Sequence, residues 1–229
     1  MNFMSNNIVF RDLGTINYKD AWDYQDKLHS EIVTKKVNNA PEYEQFPEYI
    51  LFVEHPHVYT LGKSGDEQNL LISALQLQAK DAEFFKTNRG GDITYHGPGQ
   101  IVGYPIIDLD KHKIGVKKYV YILEESIIQT IKMFGLAGSR LEGATGVWLD
   151  AEIPGQARKI CAIGVRVSRG VTMHGFAFNV NTNLAYFDYI NPCGFTDKGV
   201  TSLSKELGQE ISMEEVKPLL LSKLIALLK

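Results

Sequence analysis

The chain has 229 residues, 44% hydrophobic and 22% charged, a composition that excludes a disordered, collagen-like or coiled-coil protein. A chain of this length buries enough surface to hold a core without disulfide or metal staples. Its 24 basic and 27 acidic residues give a net charge of −3, whereas a duplex-binding domain is usually clearly basic, so nucleic acid is not an expected partner.

Two cysteines, Cys161 and Cys193, make no disulfide framework and fit a reducing compartment. Met1 to Asp12 lacks the basic and apolar segments of a signal peptide. The apolar tail Leu219–Leu228 is interrupted by Lys223 and is too short to span a bilayer. The expectation is a cytoplasmic protein that uses no membrane. The densest basic pairs, Lys35-Lys36 and Lys117-Lys118, read as solvated helix faces.

In chain order, Ile8-Val9-Phe10 predicts a short strand, and Tyr18–Lys36 a helix with Trp22, Leu28 and Ile32 at helical spacing. Asn38–Pro47 is a polar connector. Tyr49–Glu54 is too apolar for an exposed strand and belongs centrally in a sheet. Val58–Leu61 continues it after the break at His55-Pro56, and Glu83–Thr87 is a possible strand. The glycine-rich stretch Arg89–Gln100 leads into an apolar strand, Gln100–Leu109. Val116, Val120, Leu123, Ile127, Ile131 and Phe134 form one stripe of a helix that Gly135 can end.

Gly146–Asp150, Lys159–Val167 and Val171–Val180 predict three more strands, with Arg169-Gly170 as a tight turn between the last two. Asn191–Gly194 is a turn by composition. Ser212 and Glu215 carry a capping-box signature ahead of a C-terminal helix, although Pro218 suggests that regular helix begins near that residue. Strands and helices mix without strict alternation. That predicts one α+β domain over residues 1–229, a mixed sheet flanked by helices.

Several residues could carry chemistry. Four glycines between Arg89 and Gln100 let the backbone approach a ligand closely. The spacing matches neither a phosphate-binding P-loop nor a dinucleotide fingerprint. A plain glycine hairpin is the alternative, but it has no need of Arg89 or His96. Cys193, between Pro192 and Gly194, is a thiol in a turn and a potential nucleophile. Cys161 alternates with Ile163, Val165 and Val167 and should point into the core as an inert thiol.

Lys159 shares the parity of Cys161. Its ammonium either snorkels out at the strand end or, kept partly dry, serves as a base. In the strand from His174 to Val180, Phe176, Phe178 and Val180 make an apolar face. Gly175, Ala177 and Asn179 make a small one, either for close packing or as the floor under an extended ligand. No metal-site spacing is present, and His55-Pro56-His57 reads as a turn.

The segment Arg89-Gly-Gly-Asp-Ile-Thr-Tyr-His-Gly-Pro-Gly-Gln100 closely resembles the signature loop of the lipoyl(octanoyl) transferases. So do Lys159–Gly170, His174–Val180, Asn191-Pro-Cys-Gly-Phe195 and Val200-Thr-Ser-Leu203, while Glu54–Gly62 resembles an earlier block. Cys161 stands where alanine is more frequent in that family and His57 where proline is common. The resemblance implies the biotin/lipoate protein ligase fold. It implies transfer of an octanoyl group from octanoyl-acyl carrier protein to a lysine of a lipoyl domain, on 2-oxoacid dehydrogenase E2 subunits or the glycine cleavage H protein. Neither cofactor nor metal is implied.

Carried over by position, Cys193 matches the acyl-accepting cysteine and Lys159 its partner lysine. The substrate-lining segments match Arg89, Gly90, Gly91, Asp92, Ile93, Thr94, Tyr95 and His96, then Ala162, Ile163 and Gly164, then Gly175, Phe176 and Ala177. The thioester donor is already activated, which agrees with the missing phosphate motif. Three alternatives remain: an ATP-dependent lipoate ligase of the same fold, a non-catalytic module that binds lipoyl domains or acyl carriers, and a thiol hydrolase pairing Cys193 with His96 or His174.

Overall fold

A computed structural model describes residues 4–5, 7–191 and 198–229. In chain order the elements are β1 (Met4–Ser5), β2 (Ile8–Thr15), α1 (Tyr18–Val37), β3 (Glu48–Glu54), β4 (Val58–Leu61), α2 (Ala74–Gln78), β5 (Glu83–Lys86), β6 (Ile93–His96), β7 (Gln100–Ile106), α3 (Val116–Lys132), β8 (Gly138–Leu141), β9 (Ala144–Leu149), β10 (Arg158–Ser168), β11 (Val171–Asn179), β12 (Gly199–Val200), α4 (Leu203–Leu207) and α5 (Met213–Leu228).

Among the described residues, a mixed sheet runs in the order β1-β2-β3-β7-β11-β10-β9-β8, with β12 paired to β10. β2 and β3 are parallel, and β3, β7, β11, β10 and β9 are successively antiparallel. A second sheet of three strands, β5-β4-β6, lies apart from the first. Val58–Leu61 therefore starts this smaller sheet instead of continuing the large one.

β3 is central, as its composition requires. Ile50 and Phe52 pack into one cluster with α3 and α5, while Tyr49, Leu51 and Val53 pack into another with α1. A strand covered on both faces reads as a continuous apolar run. β11 sorts its side chains the same way: Phe176 and Phe178 join the α3–α5 core, and Ala177 joins the α1 side. Arg169 and Gly170 both have positive φ (53° and 81°), the backbone of a tight hairpin between β10 and β11.

Four local expectations differ from the structure. The buried stripe of α3 is centred on Tyr119, Leu123, Ile127 and Thr130, which leaves Val116, at the first turn, 46% exposed. α5 begins at Met213, with Pro218 inside it. Proline in the second turn removes one hydrogen bond from the helix and does not stop it. No capping box forms there, because the Ser212 hydroxyl donates to the Glu214 carboxylate. Lys36 is not solvated: its ammonium bridges the buried Asp108 carboxylate (2.7 Å) and Asp110 (2.5 Å), tying α1 to the chain after β7.

Candidate functional site

The glycine-rich loop is held by backbone hydrogen bonds between the large sheet and the chain after β4. Gly90 N–H donates to the Val165 carbonyl of β10 (2.9 Å), and Lys63 N–H donates to the Arg89 carbonyl (2.9 Å). A Cβ on Gly164 would stand 2.7 Å from the Gly90 carbonyl oxygen, and one on Gly62 would stand 2.2 Å from that of Gly91. Gly164 lets the loop touch β10 and Gly62 lets it touch the chain after β4, as backbone-on-backbone contact demands. The Arg89 side chain turns inward and is 7% exposed. Its Nη2 donates to the Thr60 carbonyl (2.6 Å) and hydroxyl (2.9 Å), and its Nη1 to the Gly90 carbonyl (3.0 Å).

A cavity of about 320 Å³ opens between this loop, β6 and the α1 side of the large sheet. That is the lower end of the size range of small-molecule sites. Arg89, Gly91, Asp92, Ile93, Thr94 and His96 line one wall. Ala162, Ile163, Gly164, Gly175, Phe176 and Ala177 line the other. Two expected lining residues, Gly90 and Tyr95, are not at the wall. Gly90 spends its backbone on β10. Tyr95 points to the opposite face of β6, where its ring packs with Tyr59, Tyr186 and Phe187 and its hydroxyl meets His57 Nδ1 at 2.7 Å. Gly175 is small for packing as well, because a Cβ there would stand 2.1 Å from the Gly103 carbonyl oxygen.

Lys159 lines the same cavity. Simple alternation would put it on the core face with Cys161. The register against β9 slips between the two, with Trp148 opposite Lys159 and Val147 opposite Cys161. This β-bulge changes the parity, so Ile160 and Cys161 both enter the core while Lys159 joins Ala162 and Gly164 at the cavity. Its ammonium lies 4.7 Å from the Trp148 ring centroid, within cation–π range. Trp148 is itself fixed by its indole N–H donating to the Ala144 carbonyl (2.8 Å). Burial pushes the Cys161 thiol well up and keeps it neutral.

The histidines at the cavity are neutral. Burial, with the Arg89 charge second, pulls His174 down to about 3. Burial likewise takes His96 well below its ordinary value, and it takes His55, whose ring lies 5.9 Å from that of His96 but outside the cavity lining, to about 4. His55 and His57 diverge to separate partners, Ile16 and Tyr104 for one and Tyr95 for the other. Among the described residues, no group of three or more histidine, cysteine, aspartate or glutamate side chains is placed to hold a metal ion.

The tautomer of His96 follows from its neighbours. Gln100 donates both Nε2 protons, to the Tyr95 carbonyl (3.1 Å) and Asn179 Oδ1 (2.9 Å). Its Oε1 must then accept from His96 Nδ1–H (2.9 Å), and His96 Nε2 accepts from the Thr60 hydroxyl (3.3 Å).

Asn179, on the small face of β11 that the sequence offered as a ligand floor, also lines the cavity, and so do Tyr18, Gln100, Val102, Tyr104, Trp148 and Lys198, which the sequence did not place there. Strand alternation marks faces, but which strands become neighbours is a tertiary fact. The proposed nucleophile Cys193, with Pro192, Gly194 and Phe195, lies outside the described residues. Lys198, the next described residue, lies on the cavity wall.

The lipoyl protein ligase A/B catalytic domain model matches residues 17–225. An octanoyltransferase of Christiangramia forsetii is 58% identical over 221 residues, 95% of this chain and 94% of its own length. One from Cytophaga hutchinsonii is 52% identical over 224 residues, 96% of this chain and 92% of its own. Among solved structures, a bipartite lipoate protein ligase with its E2 lipoyl domain from Thermoplasma acidophilum superposes with a TM-score of 0.68 at 14% identity, covering 96% of this chain and 82% of that one. Lipoate-protein ligase A bound with ATP superposes at 0.69 and 12% identity, covering 98% and 86%. At such identities the likeness concerns the fold alone, a mixed sheet flanked by helices. With the model spanning most of its length and half its residues shared with these relatives, the chain belongs to the lipoyl protein ligase A/B catalytic domain family.

Proposed function

We propose that the chain acts through a cysteine-bound acyl intermediate, with residues 1–229 working as one catalytic domain. It is an octanoyltransferase, an enzyme of protein lipoylation. In our reading the Cys193 thiolate attacks the thioester carbonyl of octanoyl-acyl carrier protein. The carrier's thiol leaves, and the octanoyl group remains on sulfur. The amine of a lipoyl-domain lysine, on a 2-oxoacid dehydrogenase E2 subunit or the glycine cleavage H protein, then attacks that second thioester. The amide forms, and the Cys193 thiolate is released.

The observation that best supports this reading is the position of Lys159. A bulge takes it out of the core pattern and brings it to the cavity wall beside β12, the strand that follows the Cys193 segment. There its ammonium can hold the thiolate as counter-ion, give a proton to the departing carrier thiolate and, as the neutral amine, accept the acceptor's proton when the amide forms. The apolar cavity surface contributed by Val102, Ile163, Phe176, Ala177 and Phe187 suits the alkyl chain, each buried methylene being worth about 0.8 kcal/mol. The hydrolase alternative fits less well. The free electron pair of His96 is occupied by Thr60, and the unpartnered Nδ1 of His174 is enclosed, so neither ring is set to activate water.

No helix among the described residues is long and apolar enough to cross a membrane. We place the reaction in the cytoplasm, where a thiol nucleophile stays reduced.

Steady-state kinetics test the reading. With donor and acceptor both varied, double-reciprocal lines should be parallel, because one thiol serves the two substrates in turn. Cys193→Ser should fold with an unchanged Tm and lose transfer. Intersecting lines together with an active serine variant would remove the covalent intermediate.

A further inference from the structure

β10 changes partner along one edge. From Cys161 to Ser168 it pairs with β11, and at Arg158 and Lys159 it pairs with β12. β9 occupies the opposite edge at this point, so β12 takes the place that β11 leaves. The fork lies at Asn179, the last residue of β11. β12 is two residues long, too short to hold its own register. Its position depends on Thr201, the next residue, which is fully buried. Thr201 N–H donates to the Lys159 carbonyl (2.9 Å), its hydroxyl donates to Glu206, and its carbonyl accepts from Asn179 Nδ2 (3.0 Å).

Asn179 is in turn held in one orientation. Its Oδ1 accepts from Gln100 Nε2, Gln100 Oε1 accepts from His96 Nδ1–H, and His96 Nε2 accepts from the Thr60 hydroxyl that Arg89 also contacts. Rotating the Asn179 amide by half a turn would set its oxygen against the Thr201 carbonyl and its NH2 against that of Gln100. Both contacts are repulsive. Every step in this chain has one donor and one acceptor, so the line from the glycine-rich loop to Thr201 can be polarised in one direction only.

We propose that Asn179 is a positioning residue for octanoyl transfer: at the fork between β11 and β12 its carboxamide fixes the Thr201 carbonyl, and with it the backbone beside Lys159 and the strand that follows Cys193. This rests on the reading of Cys193 and Lys159 given above. Asn179 touches no reacting atom in this account. It acts by fixing the separation between the two halves of the thiol–lysine pair, where a displacement of about 1 Å can cost on the order of 100-fold in rate.

The test compares Asn179→Asp with wild type in the full chain. Aspartate keeps the shape and the acceptor for Gln100, but it turns the donor facing the Thr201 carbonyl into a second acceptor. Transfer from octanoyl-acyl carrier protein to a lipoyl domain, the donor KM, the Tm and the pH profile of Cys193 alkylation by iodoacetamide are read together. The expected result is a kcat lowered by about tenfold or more with donor KM changed by less than about threefold, and an alkylation midpoint moved upward. Thr201→Ser, which keeps all three polar groups, should behave as wild type.

Should Asn179→Asp fail to fold, Asn179→Ala is read in the same way. If kcat falls only in step with Tm and the alkylation midpoint stays in place, Asn179 belongs to the scaffold and the inference is overturned. Unchanged transfer in Asn179→Asp alongside impaired transfer in Lys159→Met overturns the inference and leaves the thiol–lysine reading standing. Full transfer in Cys193→Ser overturns both.

Discussion

Cys161 and Cys193 carry the same thiol, and burial decides the behaviour of Cys161. Cys161 is fully buried among Val147, Ile160 and Phe178, and that burial holds its thiol neutral. Only the thiolate reacts quickly with an alkylating agent. Iodoacetamide added to the native enzyme near neutral pH should therefore modify Cys193 alone, and peptide mapping should find Cys161 modified only after unfolding. Cys161→Ser should keep transfer and cost roughly 1–3 kcal/mol of stability, because a hydroxyl replaces a thiol in an apolar site. Early labelling of Cys161, or loss of transfer in the serine variant, would contradict this division of roles. The buried half of the division is legible in sequence from the alternation with Ile163, Val165 and Val167.

At the scale of elements, the β10 bulge separates Lys159 from Cys161 and brings the lysine to the cavity. Gly146, next to the slip on β9, has φ +129°, and a Cβ there would stand 2.5 Å from the Cys161 carbonyl oxygen. Gly146→Ala should push β9 away from β10 just where the register changes. It should cost about 1–3 kcal/mol and reduce transfer by displacing Lys159 from its place over Trp148. Transfer and Tm both at wild-type values would show that the bulge does not need this glycine.

The sequence marks both β10 and the existence of the Gly146 strand, but not the slip between them. Parity counted along one strand assumes a regular ladder, and a bulge depends on the partner strand. The same limit hid the glycine-rich loop's support. Gly62 and Gly164 are 102 residues apart in the chain (164 − 62), yet both are small so that this loop can lie against backbone. By contrast, β3, α1 and the β10–β11 turn are set by local pattern, and they stand where composition and periodicity put them.

At the scale of the whole molecule, titration of the buried histidines sets the pH dependence of stability. His55, His96 and His174 hold folded values below the ordinary 6.5, with burial as the main cause in each. Above pH 6.5 both states are neutral at these rings. As pH falls below it the unfolded chain binds protons that the folded chain refuses, so stability is lost toward pH 4. His112 runs the other way. Its hydrogen bond to Glu48 raises it, so its contribution is complete below the unfolded value near 6.5 and is lost as pH rises through its folded value. Through the Leu228 carbonyl it also ties the end of α5 to the sheet.

Urea unfolding should show a midpoint that falls from pH 7 to pH 5, with a net uptake on the order of two to three protons on unfolding near pH 5.5. His112→Ala should lose more stability relative to wild type at pH 6 than at pH 9. A midpoint that rises on acidification would contradict the neutral assignment of the buried histidines.

In the proposed mechanism the octanoyl group passes through sulfur on its way to the acceptor lysine. Intact-mass spectrometry of the enzyme mixed with octanoyl-acyl carrier protein in the absence of acceptor tests this most directly. The expected result is one octanoyl adduct per chain. It should map to Cys193, be absent in Cys193→Ser, and be discharged on adding a lipoyl domain with the octanoyl group recovered on the acceptor lysine. An enzyme that shows no adduct while still transferring the group when both substrates are present, or an adduct that maps elsewhere, would contradict the account.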